Sequence, residues 1–420
     1  MNRPHFPIPY STSLEAHERL HHTPYPCSRR SFLTGAIGMA LGQLLVGCSG
    51  QTAQTLNLHV LNGSIPPQVW GAFRKHLQRS SRSGSLSLEI EPQLQPLFEL
   101  LQLWKRKGNA SASASGWLGA IPFLGKRFQL NVADLVTLGD YWLDKAIQQN
   151  LIHPMNPKQL AGWDQLPSVW KTLVTRSDGA SQTSQVWGAP YRWGSTVIAY
   201  RQDIFHEKGL QPPTDWADLW RSDLRGRISL LDQPREVIGL TLKKLGRSYN
   251  TANPETIPEL KPELTALNRQ VKLYSSTAYL QPLLLGDTWV AVGWSTDVLP
   301  TMQRSPTIAA IVPKAGTALW ADLWVRPAVA SAELSTLVAE WISFCWQPEI
   351  ASQLSLLSRA TSPAVLERPS TDLPPALRQN TILLPDAAIR EKSEFLKPLD
   401  RASVDQYQAL WQHLRQVVTG

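Results

Sequence analysis

Trp187-Gly188-Ala189-Pro190-Tyr191-Arg192-Trp193-Gly194-Ser195-Thr196-Val197-Ile198-Ala199-Tyr200 is the stretch on which the fold turns. Its last four residues form an unbroken apolar run, the mark of a strand buried on both faces. Ile228-Ser229-Leu230-Leu231 and Trp289-Val290-Ala291-Val292 have the same character, with helical patterns over 237–245 and beyond Glu333. Upstream the grammar repeats. A strand at 56–61 closes on Asn62-Gly63, a proline-started helix follows from Ile65, and a second strand fits 86–90. A helix from Pro96 through Trp104 is expected to stop at Lys105-Arg106-Lys107-Gly108, and the Ala/Ser tract 109–115 reads as a flexible crossing loop. A strand at 134–138 and an amphipathic helix at 141–149 complete this half.

Strands alternating with helices at this pace predict an α/β architecture with a largely parallel sheet. No short-period repeat is present, so the two halves are expected to share architecture rather than sequence. Ligands in such folds sit at the carboxyl ends of strands, which makes Asn62-Gly63-Ser64, 232–236 and 294–297 candidate pocket edges.

The chain has 420 residues and a formal charge of +8, more length than one compact domain uses. That charge is diffuse. Lys105-Arg106-Lys107 is its densest block and no nucleic-acid motif surrounds it, which argues against nucleic acid as a partner. Of three cysteines, Cys27 and Cys48 lie near the N-terminus, and Cys345 sits alone in an apolar helical setting that predicts a buried structural thiol. Metal-ligand spacings, a glycine-rich phosphate loop and a Gly-x-Ser-x-Gly elbow are all missing from the sequence, so neither a metal nor another cofactor is expected, nor an enzyme.

Ser28-Arg29-Arg30-Ser31-Phe32-Leu33, with Leu45-Val46-Gly47-Cys48 behind it, has the order of a twin-arginine export signal ending in a lipoprotein box. The reading takes residues 1–47 as the signal peptide, Cys48 as the lipidated first residue of the mature protein, and 48–55 as a tether. It predicts an exported, periplasmic protein held at a membrane by acyl chains.

Seventeen tryptophans are many for this length, and most are expected in cores. In Leu319-Trp320-Ala321-Asp322, period-two alternation puts Trp320 and Asp322 on one face, where an aromatic surface beside a carboxylate suits an alkyl ammonium. In Leu231-Asp232-Gln233-Pro234-Arg235-Glu236-Val237, Asp232 is expected to cap the helix and Arg235 to pair with a neighbouring acid, leaving Glu236 free.

The 187–200 stretch, Trp216-Ala217-Asp218-Leu219-Trp220, the segment 230–246 and Asn250-Thr251-Ala252-Asn253-Pro254-Glu255 occur in an order and spacing that resembles the spermidine/putrescine-binding proteins of ABC importers. The similarity runs from about Asp134 to about Pro363 and is fainter upstream. It implies a two-lobed periplasmic-binding-protein fold, type II-like, with a cleft between lobes that closes on solute. The lobes are expected over 56–190 with 323–362, and over 191–322 with 363–420. By position, Tyr141 looks like the family's cleft tyrosine, Glu236 like its acidic ligand, Trp294 like the tryptophan stacking on the polyamine, and Trp320 with Asp322 like the pair that holds an amine. Two departures stand out: Gln233 replaces an acid and Ala360 replaces a tyrosine. Asp297 or Asp140 is a candidate for the missing charge. The resemblance implies a small cationic solute and permease subunits as partners, and a monomer is expected. The alternatives are another small solute, amino-acid-like or sugar-like, with Gln233 and Arg192 taking part, and an exported cofactor enzyme.

Overall fold

The computed structural model describes residues 54–80, 84–114, 132–177 and 183–416. Cys48, the export signal and most of the tether lie outside them. The main sheet runs in the order Gly84–Glu91, Gln54–Leu61, Leu135–Gly139, Ala318–Pro327, Ala189–Arg201, Val290–Trp294, Ile228–Leu230, Val271–Tyr274. Its two flanks are parallel, as the βα alternation predicts. Its centre is not. Ala318–Pro327 runs antiparallel to Leu135–Gly139 and to Ala189–Arg201, and the latter is antiparallel to Val290–Trp294 and Ile308–Ile311. The expected largely parallel sheet is therefore a mixed one, because the chain crosses from one half of the molecule to the other on one central strand and returns on the next.

These two crossing strands organise the hydrophobic interior. Tyr191 and Trp193 of the first, with Ala321 and Leu323 to Val325 of the second, belong to a core built with Leu56, Leu58, Phe73, Leu97, Leu135 and the helix Thr336–Cys345. Stacking of Tyr191 on Trp324, with centroids 4.3 Å apart and planes 18° from parallel, contributes about 0.5–1.5 kcal/mol beyond the area it buries. A few residues on, Ile198 and Tyr200 of the first strand and Ala318 of the second pack into a different core with Trp216, Leu230, Val237, Leu264 and the C-terminal helix Arg401–Gln416. The opposite face of the first strand, Val197 and Ala199, enters a third cluster with Ala291, Val298, Leu377 and Leu383. Both strands thus leave one core and enter another between residues 193 and 197 on one strand and 321 and 318 on the other. At that crossover lie Gly194, Ser195 and Thr196 on one strand and Leu319 and Trp320 on the other, with Leu319 still packed on the first core.

Two local expectations change. The helix Leu94–Ala114 continues through the basic run and into the Ala/Ser tract that read as a loop. Gly108 does not end it, since its bare Cα admits Val329, whose Cγ1 would lie 2.9 Å from an added Cβ, and alanine-rich sequence carries the helix on. The helix expected at 141–149 is a single 3₁₀ turn, Asp140–Trp142, followed by Leu143–Gln148. Cys345 is fully buried, and burial pushes its thiol far up, as a structural cysteine requires.

Candidate functional site

The crossover builds a polar face by register alone. On the first crossing strand Arg192, Gly194 and Thr196 share a face by period-two alternation. Their cross-strand partners are Asp322, Trp320 and, from the neighbouring strand, Trp294. Gly194 is glycine because the Trp320 indole lies across it: an added Cβ would collide with that ring and with the Ser295 hydroxyl. The expected shared face of Trp320 and Asp322 is thus observed, and Trp294 and Glu236 join it.

Glu236 lies in the first turn of Pro234–Lys244, 7% exposed, where both carboxylate oxygens accept from the Thr196 hydroxyl at 3.0 and 3.1 Å. The Trp294 indole is a second donor, and Arg235 acts on it only through space. Burial outweighs these donors and pushes the Glu236 carboxyl up to about 7. Glu236 is a buried carboxylate served by neutral donors, in no ion pair among the described residues.

Asp322 is buried just as deeply, and its circumstances differ. Arg192 Nε donates to Asp322 Oδ2 at 2.6 Å, with side-chain exposures of 5% and 1%. Arg192 Nη1 reaches Ser358 O at 3.5 Å, and its guanidinium lies 5.8 Å from the Trp320 ring. Burial pushes the Asp322 carboxyl up, with Arg192 only partly opposing it, and the short contact to an obligate cation has the geometry of an ion pair. A register shift between Asp322 and Leu323 leaves Tyr191 without a cross-strand partner, and its phenol bonds Thr137 at 2.9 Å. Asp140 stands beside this pair. Its Oδ1 accepts from Ala321 N at 2.9 Å, and burial, reinforced by Asp322, pushes it up to about 7.

Other sequence-derived candidates lie further out. Tyr141 is 49% exposed at the end of Leu135–Gly139, its ring edge-on to Trp142. Gln233 is exposed at the N-cap of Pro234–Lys244 and makes no side-chain cap. The cap expected from Asp232 is not formed, because the helix starts one residue later than that reading needs. Nor does Arg235 pair with an acid: it donates to Lys397 O, Tyr249 O and Asn250 Oδ1 and stacks on Tyr407. Asn62 is exposed, its N–H donating to Glu91 O, whereas Ser64 is fully buried near Tyr191, its N–H donating to Leu61 O and its hydroxyl without a well-formed hydrogen bond among the described residues. Asp297 accepts from Tyr279, whose phenol also holds Trp294 N. Thr196 was missed by sequence reasoning, although its place two residues beyond Gly194 on one strand face was available as a signal.

A family model described as bacterial extracellular solute-binding protein matches residues 131–392, more than half of the chain. The chain belongs to that family. Its members are extracellular solute-binding proteins. The chain is similar to the spermidine/putrescine-binding periplasmic protein of Escherichia coli (strain K12), 27% identical over 292 residues, 69% of this chain and 79% of that one. It is also similar to a putrescine-binding periplasmic protein of the same organism, 22% identical over 391 residues and covering 88% and 94%. Among solved structures, the spermidine/putrescine ABC transporter substrate-binding protein from Streptococcus pneumoniae superposes with a TM-score of 0.71 at 18% identity, covering 87% of this chain and 99% of that one. That likeness establishes the two-lobed α/β fold of periplasmic binding proteins.

Proposed function

We propose that this protein is the extracytoplasmic receptor of an ABC importer, that it binds a linear aliphatic amine of the putrescine and spermidine kind at the strand crossover, and that it catalyses nothing. The observation that carries the reading is Glu236, a buried carboxylate flanked by an indole and a hydroxyl and, among the described residues, in no ion pair, Arg235 acting on it only through space. An ammonium supplies the missing counter-charge, and the alkyl chain lies against Trp294 and Trp320. The curated relatives named for spermidine and putrescine support the same class. Tyr141 would close the mouth of the cleft, with Gln233 and Asn62 at its rim and the buried Ser64 behind them. Lobes over 56–190 with 323–362, and 191–322 with 363–420, would close by a hinge at the two crossing strands and present a compact shape to the permease.

The twin arginines and Cys48 support export and lipid anchoring of a monomeric receptor at the periplasmic side of a membrane. Titration calorimetry with putrescine and spermidine tests the binding: heat with wild type that vanishes in Glu236→Gln is expected, and no heat with any amine refutes it. Metabolic labelling with a fatty acid tests the anchor, with label on the wild type and none on Cys48→Ser.

A further inference from the structure

We infer that Arg192 sets the solute preference of this cleft. Standing in a permanent ion pair with Asp322, it leaves Glu236 as the uncompensated carboxylate of the face, so the protein favours a linear amine needing one counter-charge and disfavours a triamine. The inference rests on the amine-binding reading above and narrows its substrate class.

The geometry is specific. Arg192 lies opposite Asp322 in register, and the Nε to Oδ2 contact of 2.6 Å is almost sealed from water. A guanidinium cannot be neutralised in a protein, so Asp322 is compensated whether or not solute is present. An ammonium entering here has two courses. If Arg192 stays, the newcomer gives up its water and meets a neutral pair. If Arg192 is displaced, a buried guanidinium is left with Ser358 O at 3.5 Å and the Tyr191 phenol, which is no substitute for a carboxylate. Asp140 is a second buried acid at this end; Ala321 N–H is a neutral donor to it, and burial together with the Asp322 charge beside it favours its protonated, uncharged form. Thr196, which holds Glu236, and Arg192 are separated by four residues on one strand face, roughly 13 Å at the usual rise. The cleft therefore has one acidic end and one neutralised end. The class that matches is an aminoalkyl solute with an uncharged polar tail, such as an acylated diamine, with the ammonium at Glu236.

Calorimetry on the full mature chain with N-acetylputrescine, putrescine and spermidine decides it. Wild type is expected to bind N-acetylputrescine about tenfold or more tighter than spermidine. Arg192→Met uncovers Asp322 and is expected to shift the ratio toward spermidine by about tenfold or more. Because a buried unpaired carboxylate threatens folding, the double variant Arg192→Met/Asp322→Asn is measured as well. With both charges gone, it is expected to keep the wild-type ratio within about threefold. A wild type that prefers spermidine or putrescine to N-acetylputrescine overturns the inference, as does a folded Arg192→Met with an unchanged ratio or a double variant that loses the preference. If none of the three amines gives heat with wild type, the amine-binding reading itself falls and takes the inference with it.

Discussion

Glu236 and Asp322 are both buried acids on one face of the central strands, yet they are different chemical objects. Glu236 has a hydroxyl and an indole around it and retains an unmet demand for positive charge. Asp322 has met that demand internally through Arg192. Burial alone does not mark a ligand-binding carboxylate; what marks it is the absence of a partner that the protein could have supplied. On the proposed function, the Asp322 end contributes to folding and the Glu236 end to recognition.

The contrast is most sharply tested by breaking the ion pair. Asp322→Ala strands a buried guanidinium and is expected to cost about 3–5 kcal/mol of stability, measured by urea unfolding. A loss under about 1 kcal/mol would mean the pair is not sealed as described. At the other end, Glu236→Gln is expected to leave the fold intact and to reduce amine binding by about 2–5 kcal/mol, read by calorimetry. Equal effects of the two substitutions on stability would erase the distinction. Gly194→Ala drives a methyl into Trp320, and a destabilisation of about 1–3 kcal/mol is expected in thermal melts, with loss of amine affinity as the indole moves.

Protonation distinguishes the two ends more gently. The folded-state carboxyl of Glu236, at about 7, lies above its ordinary value of 4.5, so the native state holds a proton that the unfolded chain has released. Stability of the unliganded protein is therefore expected to be full below pH 4.5 as far as this group is concerned, and to decline as pH rises from 4.5 through 7. Asp140, also raised to about 7, acts with the same sign. Binding runs the other way, because an ammonium needs the ionised form: affinity is expected to fall about tenfold per pH unit below 7, with proton uptake by buffer on binding. A pH-independent affinity between 5 and 7 would contradict the assignment of Glu236 as the anchor. Tyr141→Phe is the smallest change, expected within about 0.5 kcal/mol in stability, because the residue is exposed.

Much of this was legible in the chain. Apolar runs gave the buried strands, and period-two alternation alone put Trp320 beside Asp322. The arginine opposite Asp322 was not legible, because the pair is 130 residues apart in sequence and depends on which strands become neighbours. The mixed sheet was missed for a related reason: strand composition reports burial, and strand direction is set by where the chain must cross. The helix through Gly108 was missed because a glycine that ends a helix and one that admits Val329 look alike in sequence.

By itself the sequence determined the α/β class, the run of elements, the candidate acids and aromatics, and an N-terminal segment patterned for export. Those are properties of local periodicity and residue chemistry, which need no partner to be read. Only the tertiary structure decided which acid is spent and which is free. Charge compensation is a matter of a few ångströms between groups far apart in the chain, and no local pattern encodes that distance.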